Sequence, residues 1–474
     1  MESNSIQGYG QDMFDQLPDD ILLSIIERAD VRTIIKTSAL STRWKQLPLL
    51  LYNIDLDVDK FIPPNSSMSA DEAMAILIKS MNNLFGSPQR ECTIKGLTLS
   101  FCLLTDFEAS LKYLLNISEL VCNAVDNGKV KSVELEIKTE KPSVDYTTDD
   151  TLLHAKSVVY FFDISPSLSR CLTKLFLRTA RFSEADFHQL IVSCDQLQHL
   201  SLYCCELWDS STLKLDMPNS KLRFVSLFGC FIQTVEFICL PKLKELHCDS
   251  WPLTGTPLSF GAVPCLQELL LVCVKSIFQS GFKLTDLLRG TANVQDLTLN
   301  FQGENIWITP ERKELSTTLS KITKLFLHGI YVKFNILWTM LLLEAAPSVK
   351  IFGVEVWNHP CEEGGERDGY PERTNALWDA AQMDGSILHL QLETLEFGGF
   401  DPTISEHLDF IRAVIERAPK LKSVILQDAE PCEYCESMDN PISTSRFPHN
   451  EDERSTVLKQ LKAGISRPVA IVFC

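Results

Sequence analysis

No stretch of this 474-residue chain stays apolar for the roughly 20 residues that a membrane-spanning helix needs. The most suspicious run, Ile336 to Leu343, is far too short. The opening residues, MESNSIQGYGQDMF, are polar and lack the basic-then-apolar order of a signal peptide. A soluble protein of the nucleus and/or cytoplasm is expected. Positive charge is also scarce: 44 Lys and Arg stand against 62 Asp and Glu, for a formal net charge of −18. Such a field opposes polyanions, so neither nucleic acid nor an anionic membrane is an expected partner.

Chemistry-bearing motifs are missing too. The 9 histidines are scattered singly, and there is no G-x-S-x-G, Walker or GxGxxG loop. Adjacent Cys204 and Cys205, and the lone CEYC of Cys432 and Cys435, invite a metal reading. A zinc site needs four ligands at suitable spacing, and no second CxxC or HxxxH lies nearby. His449 and Cys474 would join only by tertiary accident. No catalytic residue, metal or cofactor is expected. The 16 cysteines follow no disulfide framework and sit inside strand-like runs such as LYCCEL and LFGC, which fits buried, reduced thiols.

What the chain does have is a repeat. An apolar residue, two variable ones, then apolar–variable–apolar recurs as IKGLTL, VKSVEL, LTKLFL, LQHLSL, LRFVSL, LKELHC, LQELLL, VQDLTL, ITKLFL, VKIFGV, LETLEF and LKSVIL. The fourth residues are Leu97, Val133, Leu175, Leu200, Val225, Leu246, Leu269, Leu297, Leu325, Phe352, Leu395 and Val424. From Leu175 to Phe352 every gap lies between 21 and 28 residues, the period of leucine-rich repeats. The best units continue in register, as in LQHLSLYCCEL, with Cys102, Cys205 and Cys230 at the ninth position. That position suits a small residue whose thiol donates to a nearby carbonyl. One unit cannot bury its own apolar edge, so the units must stack into a curved parallel sheet. The expected fold is an α/β leucine-rich-repeat solenoid of about 12 units over 94–430.

Some return legs read as helices: FSEADFHQLIVSCDQ with Ser183 as N-cap, and ISEHLDFIRAVIERAPK with Ser405 in the same role. Polar KTEKPSVDYTTDD and NHPCEEGGERDGYPER read as inserted loops. Residues 1–11 read as disordered and 51–93 as linker and N-terminal cap. Residues 431–474 read as an irregular segment and C-terminal cap, with STVLKQLKAG helical up to Gly464 and PVAIVF a last strand.

Ahead of the repeats, LPDDILLSIIERADVRTIIKTSALSTRWKQL carries apolar residues at helix spacing, broken near Ala29–Asp30 and Ser41. Pro18 suits a first helical turn, and Asp19 and Asp20 favour its positive end. Asp30 and Ser41 are candidate caps for two further helices. Three helices in about 40 residues cannot bury that apolar load alone. They either cap the solenoid or lean on another protein.

LPDDILLSII followed by SALSTRW resembles an F-box, here over 12–50. An F-box followed by leucine-rich repeats resembles the plant F-box/leucine-rich-repeat family, and Leu392–Leu426 is similar to its C-terminal FBD element. The resemblance implies a non-catalytic, substrate-recognition subunit of a Skp-cullin-F-box ubiquitin ligase. Its partners would be a Skp-type adaptor, through it a cullin, and a protein substrate. Matching positions for the adaptor are Leu17, Pro18, Ile21, Leu22, Ile25, Val31, Leu40 and Trp44, with Trp44 the expected anchor. The family's common Leu-Pro is replaced by Ala29-Asp30, which loosens that helix junction. Alternatives are a binding scaffold outside ubiquitination, or a small-molecule co-receptor; the second is weakened by the lack of a Lys/Arg cluster.

Alternation along the strands places third, fifth and seventh positions on one exposed face. The candidate substrate-binding residues there are Phe176, His199, Tyr203, Phe224, Phe228 and His247. Tyr203 and Phe228 share the seventh position of successive repeats, which predicts a separation of about 5 Å across the sheet.

Overall fold

The computed structural model describes residues 17–29, 31–37, 41–63, 66–86, 90, 92–249, 256–273, 281–311, 313–358, 373–379, 390–430, 446–465 and 467–474. The fold is mixed α/β, with a large parallel sheet of fourteen strands taken in chain order. The chain divides into two compact units, Met1–Leu200 and Ser201–Cys474. No helix among the described residues is long and apolar enough to cross a membrane.

In the first unit, helices Asp19–Ile26, Val31–Thr37 and Thr42–Gln46 precede a strand at Asn53–Asp57. That strand pairs in parallel with Gly96–Leu103, Ile54 opposite Leu97 and Leu56 opposite Leu99. The sheet therefore starts inside the stretch read as linker and cap. LYNIDL in fact carries the repeat's own spacing at Leu51, Ile54 and Leu56, all buried. Between these strands, helix Ala70–Phe85 opens on a capping box in which Ser69 and Glu72 satisfy each other's backbone N–H groups. Strands Val133–Thr139 and Leu172–Arg178 follow. Val133 pairs with Leu97, but one irregularity then sets Leu135 opposite Leu175. Helices Phe107–Asp126 and Thr148–Ile164 lie between these strands in sequence, the second capped by Thr147 at the end of the polar KTEKPSVDYTTDD segment.

In the second unit the repeat register is kept. Val225, Leu246, Leu269, Leu297, Leu325, Phe352, Leu395 and Val424 stand opposite one another on successive strands, from Phe224–Phe228 to Ser423–Leu426. Each is fully buried. Each shields its neighbours' apolar edges, which is why the stack holds. Three return legs are neither helix nor plain turn: Thr212–Asp216, Thr234–Cys239 and Leu258–Ala262 form a second parallel sheet. Their burial alternates, with Leu213, Leu215, Val235, Phe237, Leu258 and Phe260 turned to the core. Final strand Ala470–Phe473 pairs with Ser423–Leu426.

Two caps differ in outcome. Ser183 accepts from the Asp186 N–H, as expected for an N-cap. Ser405 does not cap: it is the first helical residue, Ile404 precedes it, and its hydroxyl bonds Glu406 instead. The C-terminal helix spans Glu451–Lys462 and starts four residues before the STVLKQLKAG reading, because Asn450 and Glu453 form a capping box. Gly464 follows with a φ of 80°.

The chain also turns at one recurrent place. The eighth residue of several units lies in the left-handed region: Thr179, Cys204, Gly229, Gly329 and Gly399. At Thr179, Cys204, Gly229 and Gly399 it turns the chain immediately after a strand, at Gly329 it marks an irregularity inside Lys324–Tyr331, and in each case the ninth residue points back inward. The thiols of Cys205 and Cys230 there donate to backbone carbonyls, Cys230 to Leu202 O at 3.5 Å. Burial pushes the Cys102 and Cys230 thiols up to about 12. At pH 8 both stay protonated, and thiolate is the reactive form. Iodoacetamide should therefore spare them in the native chain while it modifies exposed Cys265 and Cys474. Mass spectrometry showing equal labelling would overturn the assignment.

Candidate functional site

The three N-terminal helices form the first candidate surface. Asp19 and Asp20 occupy the first turn of Asp19–Ile26, after Pro18. Arg43, on the third helix, reaches back to the Asp19 carboxylate at 2.7 Å and donates to the Leu17 carbonyl. This pair joins the first helix to the third and was not foreseen. Leu22 and Ile26 are buried on one side of the first helix, whereas Ile21 and Ile25 are 46% and 41% exposed. Pro18 is exposed and Leu17 half-buried.

Leu22 and Trp44 differ from the sequence expectation, being 0% and 4% exposed inside the unit. Helix spacing reports an apolar stripe but not which part of it faces the core. Ser41 caps the Trp44 helix, accepting from the Trp44 N–H at 3.3 Å. Buried Arg90, also unforeseen, donates to the carbonyls of Pro48 at 2.7 Å and Leu84 at 3.0 Å, tying the following segment down. Burial lowers the Arg90 pKa, yet an arginine stays charged at neutral pH. The side chain of Val31, and Asp30 and Leu40 altogether, lie outside the described residues. Trp44→Ala should cost about 3–5 kcal/mol of stability, the usual range for deleting a buried aromatic. A lowered melting temperature of the full chain checks this; an unchanged one would return Trp44 to the surface.

The second candidate is the sheet face. Tyr203 and Phe228 stack with ring centroids 4.8 Å apart and planes within 5°, the separation their shared position predicts. Phe224 meets His247 edge to face at 4.9 Å, and His247 Nε2 lies 3.7 Å from the Glu268 carboxylate. Register carries this order across three strands, with Phe224 beside Glu245 and Phe228 beside Asp249. Four of the six expected residues thus share one patch of the second unit. Phe176 and His199 belong to the first unit, where Phe176 lies under the Arg178 guanidinium at 4.9 Å. Arg178 in turn pairs with Glu136 at 2.9 Å. His199 is half-buried on its strand.

Two aromatics of the second unit escaped the sequence reading. Trp208 is 56% exposed and Phe231 62%, each a few residues beyond the Tyr203 or Phe228 strand end. They lie off the strands, so alternation gave no signal for them. Among the described residues no three His, Cys, Asp or Glu groups come together as a metal set. Cys432 and Cys435 lie outside those residues. Two histidines are core groups: burial holds His154 below its usual range and His407 down to about 4.

Comparison with known proteins follows the same division. The F-box domain model matches residues 14–52. The model described as At1g61320/AtMIF1, LRR domain, matches residues 151–461, well over half of the chain. The chain belongs to the plant F-box/leucine-rich-repeat family. Among its Arabidopsis thaliana relatives, F-box/FBD/LRR-repeat protein At3g52680 is 22% identical over 428 residues, covering 87% of this chain and 84% of the relative. F-box protein At1g80960 is 23% identical over 238 residues, about half of either chain. FBD-associated F-box protein At5g22730 is 40% identical over 52 residues, 11% of each chain. As a member of this family, the chain carries an F-box that implies binding to a Skp1-type adaptor.

Proposed function

We propose that this F-box/leucine-rich-repeat protein is the substrate-recognition subunit of a Skp-cullin-F-box ubiquitin ligase. The N-terminal helices dock the adaptor, the adaptor brings the cullin, and the repeats hold a target protein. Ubiquitin transfer itself belongs to partner subunits, so this chain supplies position rather than catalysis. The observation that carries the reading is the pair Ile21 and Ile25, left on the surface of a helix whose adjoining stripe is anchored by Leu22 and Ile26. An isolated cap has no use for two exposed isoleucines one turn apart, whereas a partner helix does. Buried Leu22 and Trp44 then act by holding that face in place. Pro18 and Leu17 extend it toward the helix start.

Co-expression of the full chain with a Skp-type adaptor tests this. A stoichiometric complex on size exclusion, able to recruit a cullin, is the expected result. Two proteins that elute separately would refute it.

A further inference from the structure

We infer that the segment held by the Tyr203–Phe228 face is an extended, Lys- or Arg-bearing stretch of another protein. This rests on the reading that the repeats capture a protein.

The geometry starts with the stack. Neighbouring strands lie about 4.8 Å apart, and the two rings are separated by that same distance with nearly parallel planes. Their planes therefore stand upright along the strands and stack across the sheet. Tyr203 covers one face of Phe228. The other face of Phe228 looks toward the next strand, where Asp249 holds the same position. An aromatic face on one side and the Asp249 carboxylate on the other make a slot suited to a cation, since the ring face is the negative part of its quadrupole. Phe228 is 41% exposed, so the slot is open to solvent.

The surroundings repeat that sign. Glu245 sits beside Phe224, and Glu268 follows Glu245 directly on the next strand. Asp296 comes next, and its partner on the strand beyond is Lys324 at 2.6 Å. From the Tyr203 strand end to Asp296, the outward positions of the second unit thus hold aromatics, a histidine, carboxylates, Ser226 and Leu270, and no Lys or Arg. Arg223 and Lys244 precede their strands and stand outside the outward-facing rows. An acidic or phosphorylated segment would meet like charge here, and a purely apolar one would strand the carboxylates. A basic segment lets its alkyl stems pack on the rings and its charged ends reach Asp249, Glu245 and Glu268. Trp208 and Phe231 lie a few residues past the two strand ends, which extends the apolar contact beyond the stack.

Two peptides labelled with fluorescein test the inference by anisotropy on the full chain: a twelve-residue repeat of Arg-Ser-Lys-Gly and its Glu-Ser-Asp-Gly counterpart. The basic peptide should bind at least tenfold more tightly, and weaken severalfold between about 50 and 300 mM salt. Glu245→Lys with Glu268→Lys should reduce its binding at least tenfold, while circular dichroism stays unchanged. Equal binding of both peptides, no binding of the basic one, or indifference to the charge reversal would overturn the inference. A second arm separates it from the capture reading. Proteins retained from a cell extract by the wild-type chain are compared with those retained by Tyr203→Ser/Phe228→Ser and by the charge-reversed chain. Partners lost in both variants support the inference. Partners lost only in the aromatic variant leave this face as the capture site but refute a basic ligand. Partners lost in neither refute both.

Discussion

Leu246→Asp should unfold the second unit around its own strand and both neighbouring strands. Leu246 is fully buried and stands between Val225 and Leu269 in the stacked row. A carboxylate there has no cation within the core to pair with, and burying an unpaired charge costs several kcal/mol even when the group protonates instead. Repeat stability is close to a sum of unit and nearest-neighbour terms, so one bad unit removes two interfaces. With about 5–15 kcal/mol available to a typical domain, that loss is decisive. Hydrogen exchange should accelerate across Phe224–Phe228 and Glu268–Val272 as well as at the mutated strand. Ile238→Asp, at a site 39% exposed, is the control and should leave exchange almost unchanged. Protection that survives in both neighbours of Leu246→Asp would mean the row does not carry the fold.

Replacing Ile21 and Ile25 together by Asp should abolish adaptor binding without harming the fold. Both side chains are exposed, and their buried neighbours Leu22 and Ile26 are untouched by the change. An interface anchor is worth 2 kcal/mol or more on truncation, roughly thirtyfold in affinity, and two introduced charges add desolvation. A loss beyond about a hundredfold is expected by titration calorimetry with the purified adaptor. The melting temperature should stay near that of the unmodified chain. The contrast with Trp44→Ala is diagnostic, because that change should lower both quantities together. If the double variant binds normally, the docking face is elsewhere on these helices.

The solenoid was legible because a period is a global property: twelve fourth-position residues, from Leu97 to Val424, are all essentially fully buried. Local features were less legible. The Asn53–Asp57 strand has the motif in LYNIDL, but it stands 43 residues before Leu97 in the fourth-position count and so broke the period. The strands Thr212–Asp216, Thr234–Cys239 and Leu258–Ala262 are short alternations between stronger signals, and only their mutual pairing makes them a sheet. In the N-terminal helices, periodicity marked Ile21, Leu22, Ile25 and Ile26 alike. Which two meet solvent depends on what packs behind them, including the Arg43–Asp19 pair and the Arg90 contacts, and those are tertiary facts. The sheet face was more readable: its seventh-position rings stack as their shared register requires.

The left-handed residue at the eighth position of a repeat has a consequence for inheritance. Gly229 has a φ of 59°, and a methyl group placed on it would lie 3.2 Å from the sulfur of Cys204, the equivalent residue one repeat earlier. Cys204, itself at 51°, occupies space that its neighbour leaves empty. The two positions are one joint decision: a side chain in one repeat is admitted by a glycine in the next. Repeats in such an array are then not interchangeable cassettes. Recombination between related genes that brings a unit with a bulky eighth residue next to Cys204 would crowd the turn, even if every leucine matched. Exchange that moves both units together would pass unnoticed, so lineages of this protein should inherit such neighbours as linked pairs.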